Sequence, residues 1–508
     1  MTMGGAEYVL AIDQSTAATK GLVFTSEGEL VERVTLPHQT ATPAPGRVEQ
    51  DAREIRDNSY RVLREVVAQA GIPATSIQYL AITNQRETVV AWDKESGEPV
   101  SPVLSWQDSR GADRCAELRT THGAPFFRER TGLIPDAYFS ASKAEDVFAR
   151  ARAEGRDLSR ILWGTVDSWL VWNFTNRKVH ATEYSNASRT LLFNINTLQW
   201  DKELLDLFDV PRGSCPEPRS SDADFGKATI PDLHDGLPIA GIMGDSQSAL
   251  FAQGGFDPSV VKATYGTGSS VALNVGPSRI EPPEGVVTSI AWGLKGKPEY
   301  VWEGNIHCAG DTVQWVRNNL ELFSDIGEAT RLAREVPDNG GVYLVPAFSG
   351  LGAPYWENHA TAVVTGLTHS ARREHVIRAA LESIPLQVYD LLSVMAPKAP
   401  TELAELRADG GVTANDFLMQ LQSDLLQMPV RVAGIEELSA LGAVYMGGIS
   451  RGLWKDTGEV ARLWKERNRY TPTMSSPDRA ALLAGWKHAV KQALLVPERD
   501  TPNTGGSE

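Results

Sequence analysis

The sequence predicts an α/β protein built from two similar halves. Strand-like and helix-like segments alternate along the chain, and its 508 residues are too many for one core. A strand–turn–strand unit with small hydroxyl and glycine residues at its turn also occurs twice, about half the chain apart. The first unit is YVLAIDQSTAATKGLVF at 8–24, and the second is VKATYGTGSSVAL at 261–273. We therefore expect a duplicated architecture with its boundary near residues 250–258.

Segments of the first half are assigned by their hydrophobic period and by the turn residues that bound them. Strands are predicted at 8–13, 21–25, 29–37, 77–83, 88–92 and 237–244. An amphipathic helix is predicted over 51–70, and a longer helical and loop region follows over 108–215. The first half should therefore hold several strands of one sheet with helices packed beside them.

The second half restarts with the strand–turn–strand unit at 260–274. Further segments are predicted in chain order: a strand at 300–303, a helix near 309–320, a strand at 341–346 and a Gly/Pro loop at 349–355. A helix over 372–392 shows the apolar stripe of a core-packing helix. Pro385 inside it should kink this helix or end one of two shorter helices.

Bulk composition excludes several classes of protein. The apolar content of 42% and the charged content of 22% are ordinary for a globular enzyme. A net charge of −15 argues against a general nucleic-acid-binding protein, which would show a basic face. No segment reaches the roughly 18 consecutive apolar residues of a membrane span, and no signal peptide is recognisable. The separated Cys115, Cys215 and Cys308 indicate reduced thiols in a cytoplasmic protein.

The two turns are candidate phosphate-binding sites. Small residues let backbone N–H groups approach an anion, and Ser or Thr hydroxyls add further donors. One such turn alone is more often an ordinary hairpin. The presence of two, with Asp13 at the mouth of the first, favours two halves that close over a nucleotide.

The chain has no P-loop, no GxGxxG opening a helix, no HExxH and no GxSxG. Instead, four polar motifs occur at predicted strand or helix ends: TNQRET at 83–88, GDSQ at 244–247, GDTVQ at 310–314 and DGGVTAN at 409–415. Residues that follow parallel strands line the ligand crevice of α/β proteins. By this rule, Asp245 of the motif GDSQ is expected to lie in the ligand crevice.

Asp245 and Asp13 are the candidate acids for phosphoryl chemistry. An acceptor hydroxyl needs a carboxylate to take its proton, and Mg²⁺ needs a carboxylate ligand. We assign the first role to Asp245 and place the metal at Asp13 and Asp245. The structural alternatives are a helix N-cap for Asp245 and a turn-forming role for Asp13. Arg86 and Glu87 have a similar alternative, a surface ion pair.

In order, these motifs resemble the FGGY family of carbohydrate kinases, above all its glycerol-phosphorylating members. The resemblance runs from residue 8 to about residue 490. The segments that carry it are ITNQRET (82–88), GTVD (164–167), NASRT (186–190), TYGTG (264–268), VPAF (345–348), GLGAPYW (350–356) and NDFLMQ (415–420).

The resemblance implies two actin-like (ribonuclease H-like) ATPase domains around a nucleotide cleft. Residues 1–253 would form the domain for the acceptor and the first phosphate hairpin, and 254–495 the nucleotide-binding domain. A polar tail at 496–508 is expected to be disordered. The implied reaction, with ATP and Mg²⁺, phosphorylates a terminal hydroxyl of glycerol or a closely related small polyol or sugar. A cytoplasmic homo-oligomer is also implied.

Site residues follow from the resemblance position by position. The acceptor-binding residues would be Arg86, Glu87, Trp106, Tyr138, Asp245, Ser246 and Ser270, with Asp245 as general base. The nucleotide-binding residues would be Thr16, Ala17, Ala18, Lys20, Thr267, Gly310, Gln314, Gly411 and Asn415.

The chain departs from the family pattern at the acceptor pocket and at the first hairpin. Ser246 stands where the family has Gln, and Ser270 where it has Phe, so the pocket gains room for a further carbon and its hydroxyl. Ala17 and Ala18 replace hydroxyl residues and Lys20 replaces Arg, which removes side-chain donors but keeps the backbone N–H groups.

Two other functions therefore stay open. The first is a kinase for a four- or five-carbon polyol or ketose, of the xylulose kinase type. The second is a non-catalytic ATP-binding actin-fold protein. Retention of both Asp13 and Asp245 argues against the second, since a pure binding module needs no proton acceptor.

Overall fold

A computed structural model of the chain describes residues 7–357, 359–435 and 437–495. The predicted tail at 496–508 lies outside the described residues, and the predicted domain bounds at 253 and 254 stay predictions. Among the described helices, none is long and apolar enough to cross a bilayer.

The first half is built on a six-stranded sheet in the order β13-β14-β5-β1-β2-β3. Its strands are β1 (Tyr8–Gln14), β2 (Ala18–Thr25), β3 (Leu30–Pro37), β4 (Glu49–Gln50), β5 (Ile77–Asn84), β6 (Val90–Asp93), β7 (Val103–Leu104), β8 (Ile161–Gly164), β9 (Ala181–Glu183), β10 (Phe193–Asn194), β11 (Gln199–Trp200), β12 (Glu217–Arg219), β13 (Lys227–Ile230) and β14 (His234–Gly244). Its helices are α1 (Ala52–Ala70), α2 (Ala112–His122), α3 (Ala124–Thr131), α4 (Ala141–Ala153), α5 (Val166–Phe174), α6 (Tyr184–Ala187), α7 (Lys202–Leu207) and α8 (Asp245–Ala252).

The second half is built on a seven-stranded sheet in the order β17-β18-β16-β15-β21-β22-β23. Its strands are β15 (Val260–Tyr265), β16 (Ser269–Gly276), β17 (Val287–Leu294), β18 (Lys297–Ile306), β19 (Tyr343–Val345), β20 (Val363–Thr365), β21 (Glu405–Asp409), β22 (Val430–Ala433) and β23 (Glu466–Tyr470). Its helices are α9 (Gly310–Asn319), α10 (Ile326–Arg334), α11 (Arg373–Met395), α12 (Asp416–Leu426), α13 (Leu438–Arg451), α14 (Thr457–Ala461) and α15 (Ser476–Ala493).

The two sheets share one arrangement of strands. In the first, the hairpin β1–β2 continues antiparallel into β3, and β1 runs parallel to β5 and β5 to β14. In the second, the hairpin β15–β16 continues antiparallel into β18, and β15 runs parallel to β21 and β21 to β22. The prediction of an α/β protein with two similar halves is confirmed.

Strand register brings the predicted polar motifs to one edge of each sheet. In the first sheet, Asp13 is level with Thr83 on β5, and Gly244 of β14 is level with Asn84. In the second sheet, Thr264 of β15 is level with Asp409 of β21. The carboxyl ends of parallel strands form the ligand crevice in such sheets. The motifs at 83–88, 244–247 and 409–415 therefore start at these edges.

Helix α1 shows how the local sequence produces an element of this fold. The Asp51 side chain caps its start by accepting from the backbone N–H of Arg53, and Gly71 ends it in the left-handed conformation. Its apolar stripe, which includes Ile55 and Val62, is buried beside the first sheet. The helix predicted over 51–70 is thus confirmed.

Helix α13 fixes the position of one half against the other. It belongs to the second half, yet it packs against α8, β14, β5 and β1 of the first. Glycines permit this close approach, because a Cβ at Gly442 would overlap the carbonyl oxygen of Ser248. Helix α8 begins at Asp245, so this contact also sets the position of that carboxylate.

Two predictions about elements need correction. Helix α11 continues through Pro385, so the alternative of two shorter helices is wrong. Burial on several faces stabilises the helix despite the lost donor, and the Gln422 amide donates to the Pro385 carbonyl at 3.3 Å. The strand predicted at 88–92 begins later, at Val90, because the chain turns at Glu87 with a φ of 60°.

Candidate active site

A cavity of about 690 Å³ lies between the two halves, with residues of both in its wall. The first half contributes Asp13, Lys20, Asp245, Ser246 and Ala249. The second half contributes Lys262, Thr264, Ser270, Asp409, Gly411 and further residues of the loops that follow β21 and β22. Predicted residues of the metal, acceptor and nucleotide sites thus meet in one cavity.

Asp245 is the first residue of α8 and directly follows β14. Its side chain is 36% exposed. Its Oδ1 lies 3.2 Å from Nε of Arg86 in an ion pair and accepts from the backbone N–H of Ser246 at 2.7 Å. Gly244, and not Asp245, is the N-cap residue of the helix. Among the described residues, both contacts engage Oδ1, so Oδ2 is left to accept a proton from a ligand.

Arg86 and Glu87 belong to a buried ionic network, so the surface-pair alternative is wrong. Arg86 Nη1 donates to Glu303 Oε1 at 2.7 Å and to Gln247 Oε1 at 3.0 Å. Arg189, which is fully buried, donates to Glu87 at 2.6 Å and to the other oxygen of Glu303 at 3.0 Å. Burial alone would raise the pKa of Glu303, but the two arginines hold it at about 2.

Trp106 and Tyr138 pack together beside the first hairpin. Their ring centroids are 5.5 Å apart with an angle of 64° between the rings. Trp106 Nε1 donates to Thr16 Oγ1 at 2.8 Å, and the Asn305 amide of β18 donates to the Tyr138 hydroxyl at 3.2 Å. Burial raises the pKa of Tyr138, so its hydroxyl stays protonated at neutral pH. The pair offers an apolar wall with a hydroxyl at its end.

Ser246 and Ser270 face each other from the two halves. Their Oγ atoms are 3.3 Å apart, within hydrogen-bond distance. Ser270 is level with Thr264 on β15 and with Asn305 on β18, so a rigid sheet positions it. Two short hydroxyl side chains therefore occupy the wall of the cavity where the family pattern has larger groups.

Asp13 is held beside a lysine and is not a turn residue. It lies in β1 opposite Lys20 of β2, and the Lys20 Nζ is 3.5 Å from Asp13 Oδ2 and 2.6 Å from Glu437 Oε2. Glu437 also pairs with Arg33 at 2.6 Å. Burial raises the pKa of Asp13 to about 6; Lys20 opposes this shift, while Glu437 and Asp245 add to it.

Both hairpin turns are closed by short local contacts. In the first, Ser15 donates to the Ala18 carbonyl from its backbone N–H and from its hydroxyl, each at 2.9 Å. In the second, the Gly266 N–H donates to Gly268 at 2.9 Å, and the first residue of α9, Gly310, donates to Gly266 at 3.0 Å. A Cβ at Gly310 would approach the Gly266 carbonyl to 2.6 Å, so this junction requires glycine.

The remaining nucleotide-site predictions divide into two groups. Thr16, Ala17, Ala18 and Thr267 form the two turns, and Lys20 and Gly411 line the cavity. Gln314 is exposed on α9 and Asn415 caps α12, and both lie outside the cavity wall as described. The Asn415 side chain accepts from the backbone N–H groups of Phe417 and Leu418 and donates to Thr330. The roles of Gln314 and Asn415 stay predictions.

Sequence reasoning missed several charged residues of this region. They are Arg189, Lys262, Glu303 and Glu437. A signal existed for Lys262, a lysine within the otherwise apolar start of a predicted strand. Arg189 lay inside the motif NASRT, whereas no local pattern marked Glu303 or Glu437.

The donor set at the cavity suits a hard divalent cation. Asp13 and Asp245 offer carboxylate oxygens in the same wall. Magnesium takes one or two carboxylates, keeps several waters and completes its shell with substrate phosphates. Within residues 7–495, apart from 358 and 436, no three His, Cys, Asp or Glu side chains form a metal site by themselves. The residues thus fit Mg²⁺ that arrives with a phosphate ligand.

Similarity to known proteins extends over nearly the whole chain. It is 45% identical to glycerol kinase 1 and 43% identical to glycerol kinase 2 of Thermotoga maritima, over 489 and 490 residues. Each match covers 96% of this chain and 99% of the relative.

Solved structures give the same result for the fold. The crystal structure of Plasmodium falciparum glycerol kinase with ADP matches with a TM-score of 0.89 and 32% identity, over 96% of this chain and 99% of that one. The xylulose kinase from Lactobacillus acidophilus, at 19% identity, has the same fold with a TM-score of 0.86, over 96% of this chain and 97% of that one.

Family membership is shown by both halves separately. Residues 8–252 match the N-terminal domain of the FGGY family of carbohydrate kinases, and residues 261–451 match its C-terminal domain. The chain belongs to the FGGY family of carbohydrate kinases.

Proposed function

We propose that this protein transfers the γ-phosphoryl group of ATP to a terminal hydroxyl of glycerol or a closely related small polyol or sugar. The observation that carries the proposal is the position of Asp245, which faces the second hairpin across the cavity. The similarity to glycerol kinases at 43–45% identity supports glycerol as the acceptor.

Asp245 acts as the general base in this reaction. Its Oδ2 takes the proton of the acceptor hydroxyl while Arg86 and the backbone N–H of Ser246 hold Oδ1. The hydroxyl oxygen forms a bond to the γ-phosphorus as the bond from that phosphorus to the β–γ bridging oxygen breaks, and ADP leaves. The chain's contribution is positioning and electrostatics, as is general for phosphoryl transfer.

The acceptor is positioned by the first half. The rings of Trp106 and Tyr138 supply an apolar wall for its carbon backbone, and Arg86 and Glu87 supply polar groups for its hydroxyls. Glu303 keeps Arg86 in place from the second half. Closing the site also excludes water, which would otherwise compete with the acceptor for ATP.

The phosphates of ATP bind between the two turns. Backbone N–H groups and the hydroxyls of Thr16 and Thr267 are the donors there. Mg²⁺, when bound, supplies positive charge to the phosphate oxygens, and Asp13 and Asp245 are the residues that would hold it. Gly310, Gln314, Gly411 and Asn415 complete the nucleotide site in this proposal.

The proposal is tested by ADP release from Mg·ATP with a series of acceptors: glycerol, erythritol, xylitol, arabitol and xylulose. We expect the highest kcat/KM with glycerol. Asp245→Asn serves as the negative control, because it keeps the shape of the side chain and removes the base. Absence of ADP release with every acceptor would reject the kinase and favour the non-catalytic ATP-binding alternative.

A longer acceptor is the second candidate, favoured by Ser246 and Ser270 alone. If a four- or five-carbon polyol or ketose is the substrate, Ser270→Phe should lower its kcat/KM about tenfold or more and leave glycerol less affected. If glycerol is the substrate, the same variant should change glycerol turnover only slightly. The xylulose kinase neighbours share the fold at low identity and do not decide this point.

We also propose that the protein is a cytoplasmic homo-oligomer that uses no nucleic-acid or membrane partner. The family resemblance supports this assembly state. Light scattering of the purified protein tests it, and a mass of one 55.3 kDa chain would reject it.

A further inference from the structure

Lys262 is a buried lysine in the wall of the active-site cavity. It lies in β15, level with Ala272 of β16 on one side and with Arg407 of β21 on the other. The residue is 1% exposed, and it lines the same cavity as Asp245 and Asp409. A central strand of the second sheet therefore fixes its position relative to the candidate base.

This lysine has no direct partner in the part of the chain that the structure describes. None of the described carboxylates lies within 4.0 Å of its Nζ, and no described group forms a hydrogen bond with its side chain. Burial lowers the pKa of Lys262, and the negative charges of Asp409 and Asp245 oppose this shift from a distance. A buried ammonium without a bonded partner is unfavourable, so its retention calls for an anion from elsewhere.

The other lysine of the cavity differs on this point. Lys20 is bonded to Glu437 at 2.6 Å and lies 3.5 Å from Asp13, so its charge is already matched within the protein. Lys262 is the buried cation in the described cavity wall whose charge is still available to a ligand. The ligands proposed for this cavity carry phosphate, and the site of transfer is adjacent to Asp245.

We infer that Lys262 is a further catalytic residue, whose ammonium group contacts the oxygens of the γ-phosphoryl group during transfer. The inference rests on the proposed kinase function. Negative charge on these oxygens is stabilised by a pre-positioned cation that needs no reorganisation at the moment of reaction. Lys262 forms no covalent bond and transfers no proton; the proton of the acceptor goes to Asp245.

The test uses the full-length chain with Lys262→Met, a variant of similar size without charge. Calorimetric titration without acceptor compares the affinities for Mg·ATP and Mg·ADP, which differ by the γ-phosphate. We expect Lys262→Met to lose about tenfold in ATP affinity while its ADP affinity changes less than about threefold. With glycerol, its kcat should fall about a hundredfold or more. Lys94→Met, at an exposed lysine outside the cavity, is the matched control and should change neither of the two affinities nor the kcat.

Two further readouts exclude a merely structural role. Thermal unfolding of Lys262→Met without nucleotide should give a Tm at or above that of the wild type, because a buried charge has been removed. Lys262→Arg, which keeps the charge, should recover part of the kcat and also serves if the Met variant fails to fold. A kcat for Lys262→Met within about threefold of wild type would overturn the inference, as would equal losses of ATP and ADP affinity.

The outcomes separate this inference from the proposed function. If the wild type releases no ADP with any acceptor, the proposed function fails, yet the ATP-to-ADP affinity ratio still tests the contact with the γ-phosphate. If the wild type phosphorylates glycerol and the ratio is unchanged in Lys262→Met, only the inference about Lys262 fails.

Discussion

The two hairpins each bring one lysine to the same cavity, and the two lysines differ in their partners. Lys20 of the first hairpin is 26% exposed and bonded to acidic side chains of both halves. Lys262 of the second is 1% exposed and has no bonded partner within the described chain. Although burial lowers the pKa of each, Asp13 and Glu437 bring the pKa of Lys20 above its ordinary value, whereas that of Lys262 stays below.

This difference indicates that a duplicated fold can give its two halves different electrostatic tasks. In each hairpin, the second cross-strand pair counted from the turn lines the cavity. This pair is Asp13 with Lys20 in the first hairpin and Thr264 with Ser270 in the second. The first half thus presents a matched ion pair and the candidate base. The second half presents hydroxyls and a buried cation that has no bonded partner among the described residues, which suits it to receive phosphate.

The largest expected effect comes from removal of the candidate base, Asp245, which lines the same cavity as the two lysines. Asp245→Asn should lower kcat with glycerol by about a thousandfold, because the acceptor hydroxyl loses its proton acceptor. The temperature of thermal unfolding should change little, because Asn keeps the shape of the side chain, and this distinguishes loss of the base from loss of the fold. ADP release and thermal unfolding measure the two quantities. Full activity in Asp245→Asn would place the base elsewhere.

The next effect concerns the link between the halves at Glu303. Glu303→Gln leaves Arg86 and Arg189 without their shared carboxylate, so the free energy of unfolding should fall by about 3 kcal/mol. The KM for glycerol should rise, because Arg86 loses its support. Urea unfolding and steady-state kinetics measure these changes. Glu335→Gln, at an exposed carboxylate, is the control and should shift stability by only about 0.5 kcal/mol. Equal free energies of unfolding for Glu303→Gln and the control would show that the buried ionic network does not stabilise the protein.

A smaller effect compares the two lysines at neutral pH. Lys20→Met removes the ion pair with Glu437 and should destabilise the protein by about 1 kcal/mol, since the pair is only partly buried. Lys262→Met removes an unmatched buried charge and should leave stability unchanged or higher. Urea unfolding of both variants at pH 7 tests this opposite response. A clear loss of stability in both would mean that Lys262 has a structural partner.

The smallest effect is the pH dependence of the stability that Lys20 and Lys262 each contribute. The lowered pKa of Lys262 means that the unfolded chain binds more protons at this group than the folded chain, at pH values below 10.5 and above the folded pKa. The contribution of Lys262 to the free energy of unfolding therefore becomes more favourable as the pH rises through that window. Any excess stability of Lys262→Met over the wild type at pH 7 should be smaller at pH 10. For Lys20, whose pKa is raised, stability is present below 10.5 and is lost only as the pH rises above it. Unfolding at pH 7, 9 and 10 measures both trends.

Local sequence patterns predicted the parts of the molecule that depend on local structure. The two turns, the strands beside them and the acid that follows β14 could each be identified within a short window. The structure brings Asp13, Lys20, Asp245, Ser246 and Ser270 into one cavity wall, as the motif order implied.

The parts that could not be predicted depend on contacts between distant residues. Arg86 and Glu303 are 217 positions apart, and no pattern at either position reveals the other. Whether a lysine in a buried strand has a partner likewise depends on the packing of both halves. The alternative of two shorter helices at Pro385 was wrong for a related reason, because tertiary packing keeps α11 continuous where local propensity predicts a break.

One comparison tests most directly whether Lys262 assists phosphoryl transfer in this protein. It is the rate of ADP release from Mg·ATP with glycerol, measured for the wild type and for Lys262→Met under the same conditions. We expect an active wild type and a variant that is slower by about a hundredfold while as stable as the wild type. A wild type inactive with glycerol and with the longer acceptors, or two proteins of equal rate, would be incompatible with phosphoryl transfer assisted by the unmatched lysine of the second half.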